Sequence, residues 1–411
     1  MLKTVVGWDP MVAAILLVVA TGVYTIARGL AAVIYTDLVQ TMILLVGAVV
    51  LTALGLGEVG GFAGLRAHVP GDYFHMIKPA SDANFPWTGI FLGALILGIW
   101  YWCTDQSIVQ RVLSARDEGH AKAGAIFAGF LKILPVFVLV LPGLIAYALY
   151  PLQFPTASGV VQNSNSAFPT LVINLLPVGL VGLMVAALMA ALMGAMSAVF
   201  NSASTLVTLD FYKRLRPEAT ERQLVGFGRV ATGAMVVLGI LWVPFIDKMN
   251  PQLFIYLQSV QAYISPPIAV CFIFGILWPR LNGRGAISSM LAGFALGATR
   301  FVLEIQDKKQ HLESPAARFL LDMNFLHYAV WMFVACSLVL IVVSYLTAAP
   351  SREKLAGLTF ATVDQKLETT AAAPAGRVFR LAHETRLEHR LNIAFSALLF
   401  ATVVGLWIYF R

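Results

Sequence analysis

Residues Val178–Leu209 read VGLVGLMVAALMAALMGAMSAVFNSASTLVTL. They lie within Ile133–Leu209, a 77-residue stretch without one Asp, Glu, Lys or Arg. A helix that is apolar on every side has no face to present to water. About 20 such residues, rising ~1.5 Å each, cross the hydrocarbon core of a bilayer. The stretch therefore predicts a membrane span, and its small residues predict how it packs. Gly182, Ala186, Ala190, Gly194 and Ala198 recur every four residues, and Ala187, Ala191 and Ala195 form a parallel ridge. This spacing lets helix backbones approach closely in lipid. The polar run Ser197, Asn201, Ser202, Ser204 and Thr205 either lines a cavity or caps the helix end.

The rest of the chain agrees. Of 411 residues, 59% are hydrophobic and 12% charged, with a mean hydropathy of +0.80. The charged fraction is roughly half that of an ordinary soluble domain, which excludes a disordered chain, a disulfide scaffold and a large soluble enzyme. Cys103, Cys271 and Cys336 show no metal-ligand spacing and read as buried thiols. Further uncharged runs lie at Met11–Ala27, Leu38–Gly57, Ala83–Thr104, Val230–Ile246, Met249–Pro279, Met323–Ser351 and Leu391–Phe410. Gly285–Glu304 carries Arg300, and Pro151–Pro169 reads as a neutral loop dividing Ile133–Leu209 into two helices. Ten spans are predicted. Alternate connections, beginning near Arg28, hold 17 Lys and Arg, against 8 in the other set with both termini. The positive-inside bias accounts for the net charge of +7 without a nucleic-acid partner. It places both termini of this chain outside the cytoplasm and Arg352–Arg390 inside, with Arg377–Arg390 as an interfacial helix.

Ionisable and polar groups inside spans mark pathways or pairs. Lys132 lies ten residues into a helix beginning near Lys122, about 15 Å along its axis; a structural and a functional role weigh equally. Asp37 heads a span and reads as an N-cap. Trp100-Tyr-Trp-Cys-Thr-Asp-Gln106, following Gly98, predicts backbone that leaves the regular helix, and broken helices offer ligands at transporter midplanes. Gln258 and Gln261 need partners, and Pro266-Pro267 predicts an interrupted helix. There is no P-loop, no HExxH and no nucleophile elbow, so an ATP-driven pump or a membrane enzyme lacks its minimum chemistry.

Four motifs now carry a resemblance. They are Tyr24-Thr-Ile-Ala-Arg-Gly-Leu-Ala-Ala-Val-Ile-Tyr-Thr-Asp37, Trp100–Gln106 with Ile108-Val-Gln-Arg111, Phe200-Asn-Ser-Ala-Ser-Thr205, and Gln252-Leu-Phe-Ile-Tyr-Leu-Gln258 with Tyr263 and Pro266-Pro267. Together they resemble the sodium/solute symporter family, in particular its sodium/glucose cotransporter branch. The resemblance implies an all-α integral membrane protein with a LeuT-like inverted-repeat fold, and a chain that matches the last ten of fourteen spans, the first four lying before Met1. The implied layout is residues 1–60 as the last two helices of the first repeat, 61–86 as an extracellular loop and 87–279 as the second five-helix repeat. Two peripheral helices (280–347), a cytoplasmic loop (348–390) and a final span (391–411) follow.

The same resemblance implies alternating-access symport of a monosaccharide such as glucose or galactose with sodium, in a plasma or inner membrane, and no enzyme activity. It assigns Tyr101 to the inner gate over the sugar with Trp102 beside it, Phe254 to the outer gate, and Gln258 and Lys132 to sugar binding. Asp37 becomes a carboxylate on the cation route, in place of an N-cap. The family's sodium site takes a carbonyl and two hydroxyls from the small-residue helix. The matching Ala191, Gly194 and Ala195 keep the carbonyl and lack both hydroxyls, at ~1–3 kcal/mol for each unmet partner. Sodium would then need Ser197, water or groups on preceding helices. The alternatives are proton-coupled or uncoupled transport of a sugar or polyol such as myo-inositol, or a sugar sensor or leak channel on the same fold.

Overall fold

The computed structural model describes residues 7–27, 30–157, 160–246, 253–362 and 385–410. Eight helices among them are long and apolar enough to span a bilayer: Asp37–Val59, Glu118–Leu149, Val178–Leu215, Glu221–Val243, Phe254–Leu277, Gly283–Asp307, Phe325–Leu346 and Arg386–Tyr409. The pair Trp87–Cys103 and Gln106–Leu113, bent by 52°, makes a ninth, and Met11–Ile26 is a shorter apolar helix. These are the ten apolar segments of the sequence, and the protein is a helical, multi-pass membrane protein. The neutral loop forms a small antiparallel hairpin, Thr156 opposite Val161 and Ala157 opposite Val160, then a short helix, Ala167–Leu175. Most of residues 377–390 lie outside the described residues.

The helices form two compact units. The first comprises Met1–His75, Lys122–Gln252 and Arg390–Arg411. In it α1 (Pro10–Ala27), α2 (Leu30–Val59) and α3 (Pro177-preceded Val178–Leu206) pack together, with α4 (Glu221–Ile246) against α1 and α3. Its core holds Leu51, Leu65, Ile145, Leu171, Val172 and Met184. The small-residue ridges pack only in part: Ala187, Gly194 and Ala198 are buried, whereas Gly182, Ala186 and Ala195 are exposed. The polar run does not cap a helix end. The helix continues through it to Leu206, Ser202 and Thr205 bond to carbonyls one turn back, and Ser204 donates to Gly228 O on α4 at 2.6 Å.

The second unit comprises Met76–Ala121 and Leu253–His389. Here α5 (Leu253–Leu277), α6 (Gly283–Gln310) and α7 (Phe325–Leu346) pack on one another. Its core includes Ala262, Tyr263, Leu326, Tyr328 and Met332. Helix α5 runs unbroken through Pro266-Pro267, contrary to the interruption predicted. Each proline removes one ladder bond, and packing on the neighbouring helices holds the segment helical.

Helix ends are tied down with side chains, since up to four backbone groups at each end lack an intrahelical partner. Thr220 and Gln223 form a reciprocal capping box at the start of α4. Thr385 and Glu388 do the same for Arg386–Tyr409. Asn282 caps α6 by accepting from Gly285 N at 3.0 Å. Its amide also donates to Thr347 Oγ1 at 2.7 Å and Ala348 O at 2.9 Å, past the end of α7. Arg280 donates to Ser344 O and Thr347 O there, at 2.8 and 3.1 Å. One side chain thus serves the start of one helix and the end of another. Asn282→Ala is expected to destabilise the protein by about 1–2 kcal/mol, read as a lower melting temperature in detergent; an unchanged melting temperature would contradict the double role.

Candidate functional site

In the second unit the helix Trp87–Cys103 winds as a π-helix over Ile90–Ala94 and as an α-helix over Leu95–Cys103. Gly98 and the aromatic run are thus helical, and the predicted unwinding over Trp100–Gln106 shrinks to Thr104 and Asp105. The break is sharp because its polar groups are met locally. Thr104 N and Asp105 N both donate to Trp100 O, at 3.0 and 3.1 Å, and Thr104 Oγ1 donates to the same carbonyl at 2.6 Å. Asp105 then caps the helix Gln106–Leu113 by accepting from Ser107 N at 2.8 Å.

Tyr101 stands just before this break, its ring 6.3 Å from Trp100 and 5.5 Å, edge-on, from Trp102. Trp102 is 40% exposed. The Leu95–Cys103 helix packs along α5, which carries Phe254 and Gln258, so the structure brings the Tyr101–Trp102 helix and the Gln258 helix side by side. Gln258 is half-buried. Phe254 is 63% exposed and lies 6.0 Å from Phe85, which meets Phe325 edge-on at 5.9 Å. An aromatic face and an amide on neighbouring helices can stack on a ring and bond its hydroxyls.

Lys132 belongs to the first unit. The helix predicted to run through it ends instead at Leu131. Lys132 N shares Ala128 O and Gly129 O at 3.0 and 3.2 Å, Pro135 follows, and Val136–Val140 is a π-helix. Pro135 has no N–H for the ladder, which is the physical reason for the interruption. Lys132 is exposed at this break. Thr52, on α2, donates to Ala48 O at 2.7 Å and approaches Phe137 O in the π-wound turn at 3.4 Å.

The candidate cation residues are also in the first unit. Helix α2 begins at Leu30, so Asp37 is two turns inside it, and the N-cap reading fails on geometry. Its carboxylate lies against Gly194: a Cβ built there would collide with Asp37 Oδ1. One turn on, Ser197 is 1% exposed and accepts from Thr25 Oγ1 at 2.8 Å. Thr25 also bonds Thr21 O at 2.7 Å. Ala191 is half-buried and Ala195 exposed. The structure thus sets a carboxylate against Gly194 and, one turn along the same helix, a pair of hydroxyls at Ser197 and Thr25. Hard cations take oxygen ligands of these kinds, and no cluster of three His, Cys, Asp or Glu residues occurs among the described residues. Sequence reasoning missed Thr25; the signal was a Thr21/Thr25 pair at i,i+4 spacing in an otherwise apolar helix.

A family model described as "Sodium:solute symporter family" matches residues 1–293. Sodium/mannose cotransporter SLC5A10 of Bos taurus is 40% identical over 400 residues, covering 90% of this chain and 67% of that protein. Sodium/myo-inositol cotransporter 2 of Mus musculus is 38% identical, over 89% of this chain and 59% of its own length. For sodium/glucose cotransporter 4 of Danio rerio the figures are 38%, 90% and 62%. The chain therefore spans 59–67% of the length of these relatives. Among solved structures, the substrate-bound outward-open state of a Na+-coupled sialic acid symporter superposes with a TM-score of 0.66 at 22% identity, covering 85% of this chain and 70% of the other. That likeness concerns the fold.

The contact of Asp37 with Gly194 can be tested apart from any transport. Gly194→Ala is expected to cost about 1–3 kcal/mol by overpacking, and the same change made with Asp37→Ala to cost clearly less than the two single losses together. Melting temperatures in detergent give the comparison; additive losses would show that the carboxylate does not lie against this glycine.

Proposed function

The chain belongs to the sodium:solute symporter family, and from that premise we propose that it serves in cation-coupled uptake of a hydroxyl-rich solute, a monosaccharide or a cyclic polyol, by alternating access. The observation that carries the solute class is the pairing of Tyr101 and Trp102 on one helix with Gln258 on the helix packed along it. Rings offer a stacking face to a sugar or inositol ring, and an amide offers both a donor and an acceptor to neighbouring hydroxyls. The names of the relatives, which specify mannose, myo-inositol and glucose, support the same class. Phe254, exposed on the Gln258 helix, serves as a gate on the solute path. Lys132 is assigned to solute binding by family resemblance, and its place at a helix break is compatible with that role.

Sodium is the proposed coupling ion, and Asp37, Ser197 and the carbonyl near Ala191 are its proposed contacts, joined by Thr25. The two hydroxyls lacking at Gly194 and Ala195 favour a second reading, proton coupling through the Asp37 carboxylate. The basic loops face the cytoplasm under the positive-inside bias. The test is uptake of labelled glucose, mannose and myo-inositol by cells expressing the full-length protein, with sodium or choline outside and with or without a proton gradient. Uptake of at least one solute is expected to need sodium, and to fall about tenfold at low solute in Gln258→Ala and Tyr101→Ala, the loss of one good hydrogen bond or stacking contact. Uptake that follows the proton gradient instead would select the second reading. Uptake untouched by both substitutions would overturn the pocket.

A further inference from the structure

Helix α6 carries an arginine that the transport reading does not use. Arg300 is 3% exposed, seven residues before the Asp307 end of its span, about 10 Å at ~1.5 Å per residue. An arginine near a helix end ordinarily extends its guanidinium outward to the headgroups. Arg300 turns inward. Its Nε donates to Glu304 Oε1 at 3.1 Å and its Nη2 to Met323 O at 2.6 Å. Its guanidinium carbon lies 4.5 Å from the Tyr328 ring centre and 5.3 Å from that of Tyr263. The Tyr263 hydroxyl donates to the same Glu304 oxygen, and Tyr328 OH is held by Leu296 O at 2.9 Å.

This network closes on one point of α5. Tyr263 is held there by its hydroxyl and its ring, and its carbonyl packs closely on α6. The carbonyl has no ladder partner because the residue four ahead is Pro267. It lies instead against Gly297 of α6, where a Cβ would collide with Tyr263 O, and a Cβ at Gly293 would run into Pro267. Both glycines are needed for that close approach. The arginine is buried and the Glu304 side chain 31% exposed; an ion pair taken largely out of water is a poor way to gain stability, but it can fix one register of packing. Here the register matters because Gln258 lies five residues before Tyr263. The two side chains are about 7.5 Å apart along the axis and about 140° apart around it. Whatever turns Tyr263 toward α6 and α7 also sets the direction of Gln258.

We propose that Arg300, acting through Glu304 and Tyr263, is a positioning residue that fixes the rotation and register of the solute-binding segment of α5. The inference rests on the reading of Gln258 as a solute ligand, and the experiment separates the two. In the full-length protein, solute KM, maximal uptake and cell-surface amount are measured for Gln258→Ala, Tyr263→Phe, Arg300→Lys and the double variant Gln258→Ala/Tyr263→Phe. Tyr263→Phe keeps the ring and removes one oxygen, so it preserves the fold where changes at Arg300 fail to. The expectation is a KM about tenfold higher in Gln258→Ala and in Tyr263→Phe at unchanged surface amount, and about the same tenfold in the double variant, because the tyrosine acts through the amide. Arg300→Lys, which retains charge but not the planar fork, is expected to resemble Tyr263→Phe. A multiplied, about hundredfold effect in the double variant, or a silent Tyr263→Phe beside an impaired Gln258→Ala, would overturn the positioning role. A silent Gln258→Ala would instead remove the ligand on which it rests.

Discussion

Inside a bilayer no water is available to an unpaired peptide group, so every backbone N–H and C=O that leaves the helical ladder must be met by the protein itself. This constraint explains where the chain is irregular and what surrounds each irregularity. At Thr104–Asp105 the threonine hydroxyl and two amides converge on Trp100 O while the Asp105 carboxylate takes up the next helix. At Lys132–Pro135 two carbonyls share one amide, and Thr52 reaches toward the π-wound turn that follows. At Pro266-Pro267 the ladder loses two donors and yet α5 remains one element, and the freed Tyr263 carbonyl packs closely against Gly297 of α6. Polar side chains gather where backbone is released, and two of those places border the residues proposed for solute binding.

The apolar segments were legible in the sequence because charge is almost absent from them, while the small-residue ridge was legible only over the part that packs, Ala187, Gly194 and Ala198. What composition could not give was the point at which a helix stops. Gly98 and the polar Thr104–Gln106 suggested unwinding over the whole run, but the helix continues to Cys103, and the Asp105 cap two residues past it was the better signal. Asp37 looked like a cap because it heads the uncharged run Leu38–Gly57; the chain is already helical from Leu30. A break was expected at Pro266-Pro267, where none occurs, and none was expected before Pro135, where the helix ends at Leu131; the difference lies in tertiary contacts that a single chain of letters does not display.

The polar contacts between helices were the least legible part. Thr25 and Ser197 are 172 residues apart and meet at 2.8 Å; Tyr263 and Glu304 are joined across two helices. In a membrane such bonds replace the hydrophobic drive that would hold a soluble core together. The bare positions Gly194 and Ala195, read from sequence as a loss of two hydroxyl ligands, acquire a different meaning once Asp37 is seen against Gly194. A glycine at 194 leaves room for a carboxylate that a serine would displace, so a charged oxygen stands where the helix itself offers none.

Hydrogen exchange resolved by peptide, on the full-length protein in lipid nanodiscs, tests most directly whether the break at Thr104–Asp105 borders a water-lined solute path. Amides at this break are expected to exchange much faster than those of the flanking turns, and to slow when solute is added in sodium and not in choline. Exchange as slow as in the adjoining helices, or a rate indifferent to solute, would mean that the break is a sealed joint of the fold and that the solute passes elsewhere.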